Sequence, residues 1–258
     1  MGYLLIKFIS HYQGMSVETV SVSSEFDIFT HKPIQTSVLE TIETIYKPIF
    51  PVDQSDLEFL IPADNDTYLE INIKLYVRGK LISGEGKDLD AIVFTVVIKN
   101  FLHSLFSQCS VTLNAVLIAQ ANELYHYRSY LKTLLTYVTD AAASHLTNSL
   151  WYLESSDKLT CDSTAAQNDT TNRGFIARWN KINQSKEVQL YGRLHSDLCS
   201  MPLYLLPGVR LVIKLTKGSS NFYLMNKTAD SKTTFQFLVA QLLVNRIRPN
   251  PAILLSHN

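Results

Sequence analysis

The run YLEINIKLYVRGKLI, residues 68–82, restricts this chain more than any other stretch. Tyr68, Glu70, Asn72, Lys74 and Tyr76 fall on one face of an extended backbone, and Leu69, Ile71, Ile73, Leu75 and Val77 on the other. Successive strand side chains point to opposite faces, so alternation over ten residues specifies one half-buried strand. SGEGKD then ends it as a glycine-bearing turn.

Further strand signals surround it. Leu57 to Ile61 is short, stops at Pro62 and runs into the turn ADND. Ile92 to Ile98 is β-branched and continuous, as in a buried strand. Val111, Leu113 and AVLIA read as strand, with Asn114-Ala115 as the turn between them. Val188–Leu194, Val209–Leu215 and Phe235–Val244 follow, and NFYLMN reads as a short edge strand.

Helical signals are few. Phe101, Leu102, Leu105 and Phe106 form a short helical face. Leu124 to Val138 is the best helix, with Leu124, Tyr127, Leu131, Leu134, Leu135 and Val138 in one apolar stripe expected to be buried. Asn122 suits the N-cap and Glu123 the first turn. A second helical stretch covers Ala141 to Leu150. About eight strands without alternating helices exclude a doubly wound α/β fold. An all-β, eight-stranded jelly-roll sandwich with one or two short helices fits best.

Residues 1–56 read as an extended N-terminal arm, punctuated by Pro33, Pro48 and Pro51. Its apolar residues, among them Phe26, Ile28, Phe29, Val38, Leu39 and Ile42, follow no clear period, so residues 15–50 are expected to order only against a partner surface. Met15 offers a second start, which makes residues 1–14 a leader of no structural meaning. Residues 57–246 form the roll, with a polar insertion at 154–186 that has little core of its own. Residues 247–258 are expected to begin a second roll, and AILL at 252–255 to add open apolar surface.

Composition narrows the function. Apolar residues make up 46% of the chain and charged residues only 18%, so part of the surface is expected to be covered by partners. With 23 basic and 23 acidic residues the chain is not built mainly to neutralise phosphates; nucleic acid is expected to bind non-specifically if at all. Cys109, Cys161 and Cys199 are widely spaced, with no zinc or disulfide pattern. The sequons at Asn65, Asn168, Asn183 and Asn226 matter only in a secreted chain, and the N-terminus does not read as a signal peptide. No apolar stretch approaches the ~20 residues of a membrane span.

Three groups invite a chemical reading. His103, Ser104, Ser107 and Cys109 carry nucleophile and base types, but no glycine lies between Gly86 and Gly174 to make a nucleophile elbow. His103 is expected to cap the helix or bond a backbone carbonyl. Arg193, His195, Asp197 and Cys199 alternate, which places them on one strand face with an Arg–Asp or His–Asp bond. Tyr125, His126, Tyr127, Arg128 and Tyr130 mix rings and bases, but core packing accounts for them. No catalytic, cofactor-binding or metal-binding residues are assigned, and an enzyme is not expected.

The same stretches carry a family resemblance. FLIPADNDTYLEINIKLYVRGKLI, KNFLHSLFSQCSVTLN, YHYRSYLKTLLTY and YGRLHSDLCSMPLYLLPGVRLVIKL, in that order, resemble the major capsid proteins of Polinton/Maverick elements and adintoviruses. The likeness runs from about Ser24 to the C-terminus; FLHSLFSQ and YGRLHSDL are its most specific pieces, and EFDIFTHKPIQTSV resembles that family's start. It implies a double jelly roll, three chains to a capsomer, a penton protein as neighbour, no catalytic residues and a place in the virion shell. The chain ends at RPNPAILLSHN, where that family continues, so it is expected to be the first roll of an incomplete copy. The alternatives are a standalone lectin-like module with ligand contacts on 154–186, and a cupin-like metal site around His195 and Asp197.

Overall fold

The computed structural model describes residues 36–52, 56–90, 95–120, 123–155, 172–201, 203–226 and 232–256. Strands β1 (Val38–Tyr46), β2 (Leu57–Ile61), β3 (Tyr68–Glu70), β4 (Lys74–Ile82) and β5 (Thr95–Val97) come first. A one-turn helix α1 (Phe101–Ser104) leads into the hairpin β6 (Phe106–Leu113) and β7 (Val116–Gln120). Helices α2 (Tyr125–Thr136) and α3 (Thr139–Ala143), a 3-10 turn at His145–Ser149 and α4 (Arg173–Ile182) follow. The chain continues through β8 (Val188–Arg193), β9 (Tyr204–Leu205), β10 (Leu211–Lys217), α5 (Ser220–Tyr223), β11 (Leu224–Asn226), β12 (Thr234–Pro249) and α6 (Pro251–Ser256).

β12 is the axis of the first sheet. Residues 242–249 pair on one side with β1. On the other side residues 234–243 pair with β4, and Arg246 and Ile247 with β3. β8 lies outside β4, and β9 outside β3. The second sheet runs β2-β10-β6-β7, and β5 pairs separately with β11. Among the described residues the strands thus form one sheet of six, one of four and one of two, more segments than the eight strands expected.

Alternation holds the two sheets together. Leu75, Val77 and Leu81 of β4 turn inward, as do Leu57, Phe59 and Ile61 of β2 and Leu211, Ile213 and Leu215 of β10. Full burial of each such side chain contributes about 1.5–3 kcal/mol. The Phe106 and Phe237 rings, 5.9 Å apart, join the sheets through β6 and β12. Gly79 is required where β4 meets β12, because a Cβ there would lie 2.3 Å from the Gln236 carbonyl oxygen.

Several expectations need correction. The 68–82 run is two strands, not one, and Tyr68 on its polar face is buried. The break falls at residues 71–73, where the outer neighbour changes from β9 to β8 and the Leu194 N–H donates to the Ile73 carbonyl. Residues 38–46 of the arm are held within the chain rather than against a partner surface, since β1 pairs with the chain's own β12. Its period was illegible because its side chains are mostly exposed and its main-chain ladder holds it. Phe26, Ile28, Phe29 and Asn122 lie outside the described residues. β12 continues through the boundary expected at 246, as far as Pro249.

The insertion at 154–186 is not merely a polar excursion. Its second half forms α4, capped by the Asn172 side chain, which accepts from the Phe175 N–H at 3.4 Å. α4 buries Phe175, Arg178 and Ile182. Phe175 packs with Val96 of β5, Trp179 and Met225. The spacing Phe175, Arg178, Ile182 was the available signal, obscured by an arginine in the buried stripe.

Candidate functional site

The outer layer over the roll is built on α1 and α2. Asn100 enters α1 in the left-handed region at φ 61°, and its carbonyl accepts from the Ser104 hydroxyl at 3.0 Å. Its side-chain amide donates to the Ser129 hydroxyl of α2 at 3.1 Å. His103 Nδ1 and the Tyr125 hydroxyl are 3.0 Å apart, and the His103 and His195 rings meet at 4.5 Å. A Cβ at residue 192 would lie 2.9 Å from Leu102 Cδ2 and 3.2 Å from His103 Nε2, so Gly192 lets β8 come this close.

This pair of histidines is kept neutral by its surroundings. Burial holds His103 well below its ordinary range, and neighbouring His195 adds to the effect. Burial, then the charges of Lys132, Arg193 and Arg128, lowers His195 to about 4. The thiols are equally unreactive: burial raises Cys109 to about 12 and Cys199 to about 11.

Two further contacts fix how α2 is rotated about its axis. Arg128 Nη1 donates to Asp197 Oδ2 at 2.8 Å while Nη2 bonds Oδ1, a two-pronged contact. One turn on, Lys132 donates to the Ser200 hydroxyl. These bonds turn Tyr125, His126, Ser129 and Thr133 inward. The apolar stripe expected in the core faces outward instead. Leu124, Tyr127, Leu131 and Leu134 are exposed, Leu135 is 82% exposed and Val138 73%. The outer face of α2 is thus more apolar than its inner face. Of the inner groups, Tyr125 meets His103 and Ser129 meets Asn100.

The singled-out residues do not form a reaction centre. Ser104 bonds the Asn100 carbonyl, and the Ser107 hydroxyl lies 3.4 Å from the Thr216 carbonyl. His103 bonds Tyr125 rather than capping α1 or meeting a carbonyl. Arg193, His195, Asp197 and Cys199 do not share a strand face, because β8 ends at Arg193 and a 3-10 turn begins at Leu198. Arg193 bonds the Cys199 carbonyl, His195 faces His103, and Asp197 faces Arg128. Tyr125 and His126 are buried, Tyr127 is exposed, and the Tyr130 ring lies 5.1 Å from Trp151. Among the described residues no three His, Cys, Asp or Glu side chains are grouped to hold a metal ion. Among them, too, no helix is long and apolar enough to cross a membrane.

A second polar anchor was missed by sequence reasoning. Arg178 of α4 is buried, donates through Nε to the Val97 carbonyl at 2.8 Å and pairs with Glu154 at 2.6 Å. Beside it the Lys99 ammonium stands 4.3 Å from the Trp151 ring centroid. These groups lie far apart in sequence, and no spacing rule connects them.

Architecture and known structures now meet. A chain of the Sputnik virophage, solved by cryo-EM, superposes with a TM-score of 0.51 at 10% identity, covering 89% of this chain and 52% of its own. The fold is an all-β jelly roll. The Faustovirus major capsid protein matches at TM-score 0.46 and 11% identity, over 88% of this chain and 57% of that one. The mavirus major capsid protein matches at TM-score 0.44 and 11% identity, over 88% and 49%. This jelly roll thus spans about half the length of the structures it matches. No family model and no curated protein sequence matches the chain.

Proposed function

We propose that the chain is a shell-forming capsid protein of the Polinton/Maverick type, located in the virion and without enzymatic activity. The observation that carries this reading is the likeness to a virophage chain over 89% of this chain. The collinear motifs FLHSLFSQ and YGRLHSDL support it, as does a chain only 18% charged. Coverage of 52% of the virophage chain supports reading the roll as one of two in a double-roll subunit, and the order of the motifs supports the first. Three such subunits form the capsomer, with a penton protein as neighbour.

The test joins this chain to the second roll of a complete relative. Sedimentation and electron microscopy are expected to find trimers of the joined protein and irregular association of the 258-residue chain alone. A joined protein that stays monomeric at every concentration would overturn the reading.

A further inference from the structure

We infer that the cavity between α2, the His145–Ser149 turn and the strands β4 and β8 is a binding site for one small tetrahedral oxyanion of the phosphate type. The inference does not depend on the capsid reading; it adds a ligand to the roll.

The cavity joins distant parts of the chain. Thr133 comes from α2, Ser149 from the 3-10 turn, His103 from α1, Lys74 from β4, Arg193 from the end of β8 and His195 from just beyond it. Its volume is about 200 Å3. Pockets for drug-sized ligands run from roughly 300 to 1,000 Å3, so the occupant is small.

Buried polar groups open to the cavity are the first argument. Thr133 is 2% exposed and His195 7%, and both line it. Among the described residues neither the Thr133 hydroxyl nor the His195 ring nitrogens make a hydrogen bond. Most buried polar side chains find a partner, so such groups around one cavity require one inside it. His103 supplies a further donor. The Tyr125 hydroxyl oxygen accepts from the His195 N–H at 3.5 Å, which leaves the hydroxyl proton for His103 Nδ1 at 3.0 Å. The imidazole, held neutral by burial, then carries its own hydrogen on Nε2. Nε2 lies on the side of Gly192, which lines the cavity with it.

Charge selects an anion over water or a metal. Lys74 and Arg193 line the cavity, and no Asp or Glu is among the described residues that do. Lys132 and Arg128 add their positive charge to that of Arg193 at His195. The carboxylates paired with these cations stand outside. Glu43, half exposed, lies 3.9 Å from Lys74, and Asp197 is held by Arg128. Two carboxylates against four cations leave an excess of positive charge, which repels a metal ion. A tetrahedral oxyanion presents acceptors in every direction, and this suits donors that converge from a helix and two strands.

Equilibrium dialysis of the full chain against radiolabelled inorganic phosphate tests this at neutral pH and about 0.15 M NaCl, where exposed charges are screened. One phosphate per chain is expected to bind saturably. Thr133→Val removes only an unbonded hydroxyl, so it is expected to keep the melting temperature while weakening binding about fivefold. Lys74→Gln is expected to weaken it about tenfold or more. Lys214→Gln on β10, in the other sheet, leaves it unchanged. Phosphate is also expected to slow amide exchange in residues 133–149 and not in α4. Competition by sulfate assigns the site to tetrahedral oxyanions in general, and failure of sulfate to compete assigns it to phosphate through its hydroxyl. Absence of saturable binding overturns the inference and leaves water as the occupant. So does binding that survives both Thr133→Val and Lys74→Gln unchanged. Binding that falls as far with Lys214→Gln as with Lys74→Gln overturns it too, because diffuse surface charge then accounts for it.

Discussion

Two helices of the excursion between β7 and β8 treat polarity in opposite ways. α4 turns Phe175 and Ile182 inward and leaves Lys181 in solvent, yet carries the buried Arg178. α2 turns Tyr125, His126, Ser129 and Thr133 inward and leaves five of its stripe's leucine and valine side chains in solvent. The first is a helix whose cover is the roll itself. The second is fastened to the roll by specific polar bonds and leaves its apolar side chains in solvent. An apolar stripe therefore announces that a surface is to be covered, without saying by what.

The largest expected effect breaks the α4 side of this comparison. Arg178→Ala leaves Glu154 without its partner and the Val97 carbonyl without its donor. Breaking a buried pair in this way costs about 3–5 kcal/mol. Urea unfolding at neutral pH is expected to show that loss, and a change under 1 kcal/mol would mean that α4 is not anchored there.

Acid separates the two helices next. His195 is held at about 4 in the fold, below the ordinary histidine value of 6.5, and His103 is shifted the same way. The unfolded chain thus binds more protons between those values. The stability this contributes is complete above pH 6.5 and is lost as pH falls toward about 4. For His195 alone the loss is about 3 kcal/mol. Hydrogen exchange at pH 5 and below is expected to open α2 before α4, and His195→Gln to flatten the pH dependence. Equal protection of both helices across that range would contradict the assignment of the histidine pair as the α2 anchor.

Capping gives a smaller contrast. Asn172 caps α4 with its side chain, while Leu124 at the head of α2 supplies no such bond. Asn172→Ala is expected to cost about 1 kcal/mol by denaturant midpoint. Replacing Leu124 with Ser should not destabilise α2, because a hydroxyl there can take up a free N–H.

The smallest effect is the most telling for α2. Leu135→Gln removes an 82% exposed side chain and is expected to change monomer stability by less than about 0.5 kcal/mol. The same substitution should raise solubility in a precipitation assay. A loss comparable to that of Arg178→Ala would place Leu135 inside the fold.

Much of the roll was legible in the sequence because a strand's pleat ties side chain to face. The alternation expected over Val209–Leu215 lies on β10, and the turn at Asn114-Ala115 is found where expected, whereas the 68–82 alternation marked strand without showing its break at residues 71–73. Membership of the all-β class followed from runs of such strands with few helices between them. The pleat does not reveal an edge strand such as β1, whose order comes from its main-chain ladder. Nor does it reveal pairs such as Arg178–Glu154 or His103–His195, which join distant parts of the chain.

The sequence by itself determined the period and composition of every apolar stripe, including that of α2. Only the tertiary structure decided which way that stripe faces. A helical period sets the angle between residues around the axis, not the angle of the helix relative to its neighbours. In α2 that second angle is set by Asn100, His103, Asp197 and Ser200, all from outside the helix.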